Sequence, residues 1–169
     1  REVPILKTVS RLELEGKEYL IESFLDISEQ QQARKELEES EERYRDLFEN
    51  ANDLIQMVSP EGTIQYVNRS WKETLGYMDE ELSKITLQEI IHPEHFNVCM
   101  LAFQKLLTGE NIDFIETSFI TKDGRSIDLE GSINCNMVDG KPVSSRGIFR
   151  NVTERKKAEK KRLESEQRY

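Results

Sequence analysis

At 169 residues the chain has room for one domain of about 100–150 residues with flanking segments, and not for two full cores. With 33 Asp and Glu against 24 Lys and Arg it carries a net charge of −9, a surface that repels polyanions and argues against nucleic acid as a partner. No apolar run approaches the ~18 residues that cross a bilayer, no signal peptide opens the sequence, and only two cysteines, Cys99 and Cys135, occur, so a soluble cytoplasmic segment is expected, any membrane anchor belonging to a parent protein.

Residues 1–28 read as two strands, with Gly16 in the turn and Tyr19, Ile21, Ser23 and Leu25 alternating against Leu20, Glu22 and Phe24. They are echoed near the other end. Phe24-Leu25-Asp26-Ile27-Ser28-Glu29 matches Phe149-Arg150-Asn151-Val152-Thr153-Glu154 at an offset of 125 residues, and Ser40, Glu41, Arg43 and Tyr44 match Ser165, Glu166, Arg168 and Tyr169 at the same offset. Such a period marks a tandem array, so residues 1–28 are expected to be the closing hairpin of a preceding domain. The opening Arg1, in place of Met, points to a piece of a longer protein.

Residues 29–50 contain neither Gly nor Pro, and Ala33, Leu37, Ser40, Tyr44, Leu47 and Ala51 recur at spacings of four and three. The pattern fits a solvent-exposed linker helix or a dimeric coiled coil whose seam is Leu37, Tyr44 and Leu47. A domain over 51–152 follows. Leu54–Val58, the turn Pro60-Glu61-Gly62 and Thr63–Val67 predict a β-hairpin. Asn68 is the expected N-cap of a helix over Arg69–Leu75 that Gly76 ends, and short helices are expected around Glu80–Leu82 and Leu87–Ile91. Pro93 is expected at the first position of a longer helix with an apolar stripe of Phe96, Met100, Phe103 and Leu107.

The remainder reads as sheet. Phe114–Thr121 leads through the turn Lys122-Asp123-Gly124-Arg125 into a run in which Ile127, Leu129, Gly131, Ile133, Cys135 and Met137 occupy one face and polar residues the other. After Asp139-Gly140 come a strand, Val143–Val152, and a charged helix over 153–169. Its basic residues are interleaved with Glu154, Glu159 and Glu164, as on a solvated face. The order predicts an antiparallel sheet with helices gathered over one face.

Several motifs in this order are similar to a known family. Tyr44–Ala51 resembles the lead-in helix of PAS domains, or sensory boxes, and Gly62–Asn68 their second strand. Gly76-Tyr77 with Glu80-Glu81-Leu82, His92-Pro93-Glu94, Lys122-Asp123-Gly124 and Val152-Thr153-Glu154-Arg155 resemble four further family motifs. The resemblance implies an α+β fold, a five-stranded antiparallel sheet with short helices over one face and charged flanking helices. It also implies a sensory module without catalysis of its own, cut from a tandem-PAS protein whose output is a sensor histidine kinase or, alternatively, a diguanylate cyclase. The family's exit motif opens with Asp, kept as Asp26 in the upstream copy and replaced here by Asn151, which retains hydrogen bonding without charge. A signalling hinge at Asn151, Thr153 and Glu154 is implied. Met78 stands where the family has a capping Ser, and Asp79 is expected to take that role.

The implied pocket lies between sheet and long helix, with Trp71, Phe96, Met100, Phe103, Ile127, Leu129, Gly131, Ile133 and Cys135 as candidate lining. Mutual packing and ligand binding are both open to so apolar a set, and Gly131 is expected to leave room on the sheet floor. A closed pocket would make the module a dimerisation spacer. No cofactor is assigned. The family's covalent-flavin motif is absent, and His95 is a weak match to a heme ligand because it lies early on the helix. No metal is assigned to His92, His95 and Cys99, since a fourth ligand is missing. No G-x-S-x-G elbow or phosphate loop argues for an enzyme. The expected partners are a second copy through the flanking helices and a small molecule.

Overall fold

A computed structural model describes residues 3–166, so Arg168 and Tyr169 of the repeat lie outside the described residues. The chain divides between Asp46 and Leu47 into two compact units.

In the first unit, β1 (Ile5–Leu14) pairs antiparallel with β2 (Lys17–Asp26). Glu15 and Gly16 join them at φ of 50° and 73°, the doubly positive geometry of a tight hairpin turn whose twist matches its strands. Directly opposed residues share a face. One face carries Leu6, Leu12, Leu14, Tyr19, Ile21 and Leu25, and the other the Lys7–Glu22 ion pair at 2.9 Å. Both faces are exposed. Helix α1 (Ser28–Glu49) starts where Asp26 Oδ1 accepts the Ser28 N–H at 2.9 Å, an Asx cap. Its surface pairs follow helical spacing, as with Arg34–Glu38 at 2.8 Å; Leu37 and Tyr44 are exposed, as is Leu47, the first residue of the second unit.

The second unit is built on a five-stranded antiparallel sheet in the order β4-β3-β7-β6-β5. The strands are β3 (Leu54–Val58), β4 (Ile64–Val67), β5 (Ile112–Ile120), β6 (Ser126–Val138) and β7 (Lys141–Asn151). The last strand enters the middle of the sheet, so β7 joins the opening hairpin to the closing one. Its turn with β6, Asp139 and Gly140 at φ of 50° and 75°, matches that of the first hairpin. Between β4 and β5 run α2 (Arg69–Leu75), α3 (Asp79–Leu82), α4 (Leu87–Ile90), a 3₁₀ turn at Pro93–His95 and α5 (Phe96–Leu107). Helix α6 (Thr153–Glu166) leaves the sheet. The core lies between sheet and helices, where Leu54, Val58, Ile64, Trp71, Leu75, Ile90, Leu106, Leu129 and Phe149 are buried. Phe119 and Phe149 meet edge to face, centroids 5.4 Å apart.

Local chemistry departs from expectation at four places. Pro93 opens a separate 3₁₀ turn, because Ile91 bridges to Phe119 and the His92 N–H donates to the Ser118 carbonyl at 2.8 Å, tying this segment to the edge of β5 before α5 begins. Asp79 is the first residue of α3 and pairs with Lys72 at 3.1 Å, while the Glu81 carboxylate accepts the Met78 N–H at 2.9 Å in the capping role. The alternation of β6 fades beyond Leu129, and its register slips between Asn136 and Met137 opposite Pro142, which has no N–H for the ladder.

Gly131 is the fourth. It pairs with Phe149, and a Cβ there would stand 2.1 Å from the Ile148 carbonyl oxygen and 2.7 Å from the Phe149 ring. It admits the close approach of β7 and leaves no room on the floor. Gly131→Ala is therefore expected to lower stability by about 1–3 kcal/mol through overpacking against rigid backbone, read from the urea midpoint at unchanged slope. A neutral substitution would mean that the two strands separate freely here.

Candidate functional site

Between the inner face of the sheet and α5 lies a cavity of about 30 Å³. Alternate strand positions form one side: Gln56 and Val58 of β3, Ile115, Thr117 and Phe119 of β5, Ile133 of β6, and Ser145, Gly147 and Phe149 of β7. Leu87, Ile91, Cys99 and Phe103 close the other. Gln56 is 4% exposed, and its Oε1 accepts the indole N–H of Trp71 at 2.9 Å. Across the cavity Cys99 Sγ lies 3.0 Å from Thr117 Oγ1. Burial pushes the Cys99 thiol up, against a lesser lowering by Thr117, so it is neutral at ordinary pH.

The residues next to the cavity wall face the other way and reach the exit of the domain. Ser118, adjacent to Thr117, donates to Asp128 Oδ1 at 2.8 Å, and His95 Nε2 lies 3.5 Å from the same hydroxyl. The Asp128 N–H donates to Thr153 Oγ1 at 2.9 Å, and the Val152 N–H to the Asp128 carbonyl at 2.8 Å. Asn151 Oδ1 accepts the Thr153 hydroxyl at 2.6 Å and its backbone N–H at 3.1 Å. Arg155 pairs with Glu130 and Lys156 with Glu116, fastening the first turn of α6 to β6 and β5. Glu154 points to solvent and pairs with Lys157 at 3.0 Å.

The family profile described as PAS fold matches residues 64–149, half of the chain. The chain belongs to the PAS family. It is 35% identical over 131 residues, 76% of its length and 13% of the relative's, to a methyl sulfide methyltransferase-associated sensor of Methanosarcina acetivorans. It is 27% identical to the probable diguanylate cyclase DgcE of Escherichia coli over 75% of its length, and 24% identical to the sensor histidine kinase TmoS of Ectopseudomonas mendocina over 76%. The chain spans only 12–14% of these relatives' lengths. The PAS domain of an HTR-like protein from Haloarcula marismortui shares the fold, with a TM-score of 0.61 at 24% identity, covering 72% of this chain and 98% of that one. The molecule is thus a PAS sensory domain of the kind carried by signalling proteins.

Of the residues singled out in the sequence, Phe103 and Ile133 line the PAS cavity. Trp71 stands behind the wall, holding Gln56. Ile127 and Leu129 are buried core away from the cavity, whereas Phe96, Met100 and Cys135 pack half-buried against that core. Gly131 lies under β7, outside the lining. His95 turns to Ser118 and away from the cavity, whose volume is far below that of a porphyrin, so these residues do not fit a heme. Among the described residues no group of three or more His, Cys, Asp or Glu could hold a metal ion, since Cys99 faces Thr117 while His95 faces Ser118 on the opposite side of β5. Nor is any described helix long and apolar enough to cross a membrane.

Sequence reading missed the other eleven lining residues, Gln56, Thr117, Ser145 and Gly147 among them. A period-two signal for the first was present, because Gln56 lies midway between Leu54 and Val58 and shares their buried face.

Proposed function

We propose that this PAS domain senses a small molecule in its cavity and relays occupancy through α6 to an output domain outside this chain. The carrying observation is the adjacency of Thr117, in the cavity wall, and Ser118, bonded to Asp128 beneath the exit junction. A displacement of β5 at the cavity moves both, and Asp128 hands the movement to Thr153 and α6. The output we assign is a histidine kinase, supported by the likeness to TmoS, with a diguanylate cyclase as the second reading on the likeness to DgcE. The segment itself is non-catalytic in this reading.

The test uses xenon as a probe that enters apolar cavities without chemistry. Under xenon pressure, amide exchange at Thr153 and Lys156 should change about threefold or more while β4 amides, remote from the junction, stay constant. Occupied cavities with unchanged exchange at both amides would sink the relay and favour a spacer.

Residues 1–28 are, in the same reading, the closing hairpin of a preceding PAS domain, with 29–50 as linker helix, 51–152 as the domain and 153–169 as the start of the exit helix. The matching positive-φ turns and the matching caps, Asp26 on Ser28 and Asn151 on Thr153, support this. The linker helix forms a homodimer through Leu37, Tyr44 and Leu47, exposed along it at seam spacing. The double substitution Leu37→Glu, Tyr44→Glu should convert a dimer to a monomer with the sheet's circular dichroism unchanged. Sedimentation across a concentration series measures this, and a monomeric wild type removes the seam.

A further inference from the structure

We infer that the cavity selects a small uncharged molecule bearing a hydrogen-bond acceptor, of the class of short-chain alcohols and carbonyl compounds, which the amide nitrogen of Gln56 holds; the inference rests on the reading of this cavity as the sensory site. The orientation of the amide is determined by its neighbour. An indole N–H only donates, so the group it meets at 2.9 Å is the Gln56 oxygen, and Nε2 turns the other way. Nε2 makes no hydrogen bond among the described residues, although Gln56 is 4% exposed. Every side-chain polar atom sealed from water among those residues has a partner, so Nε2 borders open space, and the space Gln56 lines is the cavity. It offers two N–H donors there.

The surroundings narrow the chemistry further. No charged side chain lines the cavity, so a carboxylate or an ammonium would enter without a counter-ion at a prohibitive desolvation cost. Thr117 and Cys99 are engaged with each other, and Phe119 and Phe149 present ring surface, which suits an alkyl portion. At about 30 Å³ the space accommodates roughly two water-sized groups, at about 10–15 Å³ each. A ligand of about two or three non-hydrogen atoms fits without movement of the walls.

Trp71 is the chain's single tryptophan and is bonded to the residue in question, so its indole N–H resonance reports on the site. Ethanol, acetate and xenon are titrated into the full chain, wild type and Gln56→Met. Ethanol should shift the Gln56 side-chain N–H resonances and bind the wild type about tenfold more tightly than the variant, while xenon affinity changes by less than about twofold. Acetate should not bind. Should Gln56→Met fold poorly, the wild type still decides, because ethanol should move the Gln56 N–H signals and xenon should not. Equal ethanol binding by both proteins, unmoved Gln56 signals with ethanol bound, or acetate binding comparable to ethanol overturns the assignment and leaves the cavity standing. Failure of both xenon and ethanol to perturb Trp71 removes the sensory cavity as well.

Discussion

Asn68→Ala is expected to destabilise the PAS unit by about 3–4 kcal/mol, several times the cost of an ordinary surface cap. The side chain is fully buried and works in both directions. Its oxygen accepts the Trp71 N–H at 3.2 Å, capping α2, and the Ile55 N–H at 3.0 Å, securing β3. Its nitrogen donates to the carbonyls of Asp53 at 2.9 Å, Phe48 at 3.2 Å and Ala51 at 3.4 Å, gathering the lead-in segment against the sheet. Alanine leaves these buried groups without partners where water cannot replace the amide, which is the expensive case. Asn68→Asp should be nearly as harmful, since a carboxylate keeps the two acceptor bonds but faces three carbonyl oxygens. Urea unfolding followed by Trp71 fluorescence measures both. A loss near 1 kcal/mol for alanine would reduce Asn68 to a simple cap and discard the remaining bonds as energetically idle.

Asn68 also shows where legibility ends. Its position before an amphipathic turn identifies it as an N-cap, because capping is a local geometry between residues three apart. Its three carbonyl partners lie 15 to 20 residues upstream, and nothing in local periodicity says that this stretch folds back. The fold class was legible because strand alternation, paired turns at Gly124 and Gly140, and a long apolar helix are all local patterns, and because family motifs occur in order. The cavity was less so. Alternation assigns Gly131 to the inward face, but whether its missing side chain is open space or the berth of a neighbouring backbone depends on β7, which arrives only after a hairpin turn. Gln56 was hidden for a different reason. A glutamine in an apolar run reads as an interruption until a donor-only indole, 15 residues away, gives its oxygen a partner.

At the exit junction, Asn151→Ala is expected to uncouple cavity from output while Asn151→Asp preserves the coupling. Only the oxygen of the Asn151 amide is used, accepting both the N–H and the hydroxyl of Thr153, and that hydroxyl in turn accepts the Asp128 N–H. Alanine removes the acceptor at the mouth of α6, so the Thr153 and Lys156 amides should exchange about tenfold faster, while cavity binding by xenon changes little. In a full-length protein, response to stimulus should be lost with basal output retained. Aspartate supplies the same oxygen with a charge at a helix N-terminus. The first unit already displays that chemistry: bonds from the Ser28 hydroxyl and then its N–H hold the Asp26 carboxyl below its ordinary value of 3.8. A carboxylate with a depressed pKa gives its full stabilisation above its unfolded value, and loses it as pH falls through the folded one. Asn151→Asp should therefore slow exchange at Thr153 relative to wild type near neutral pH, an advantage that disappears below about pH 4, whereas the wild-type amide cap holds through the same range. Identical exchange in wild type, alanine and aspartate forms would show that Arg155–Glu130 and Lys156–Glu116 hold α6 unaided, and would move the hinge from Asn151 to those ion pairs.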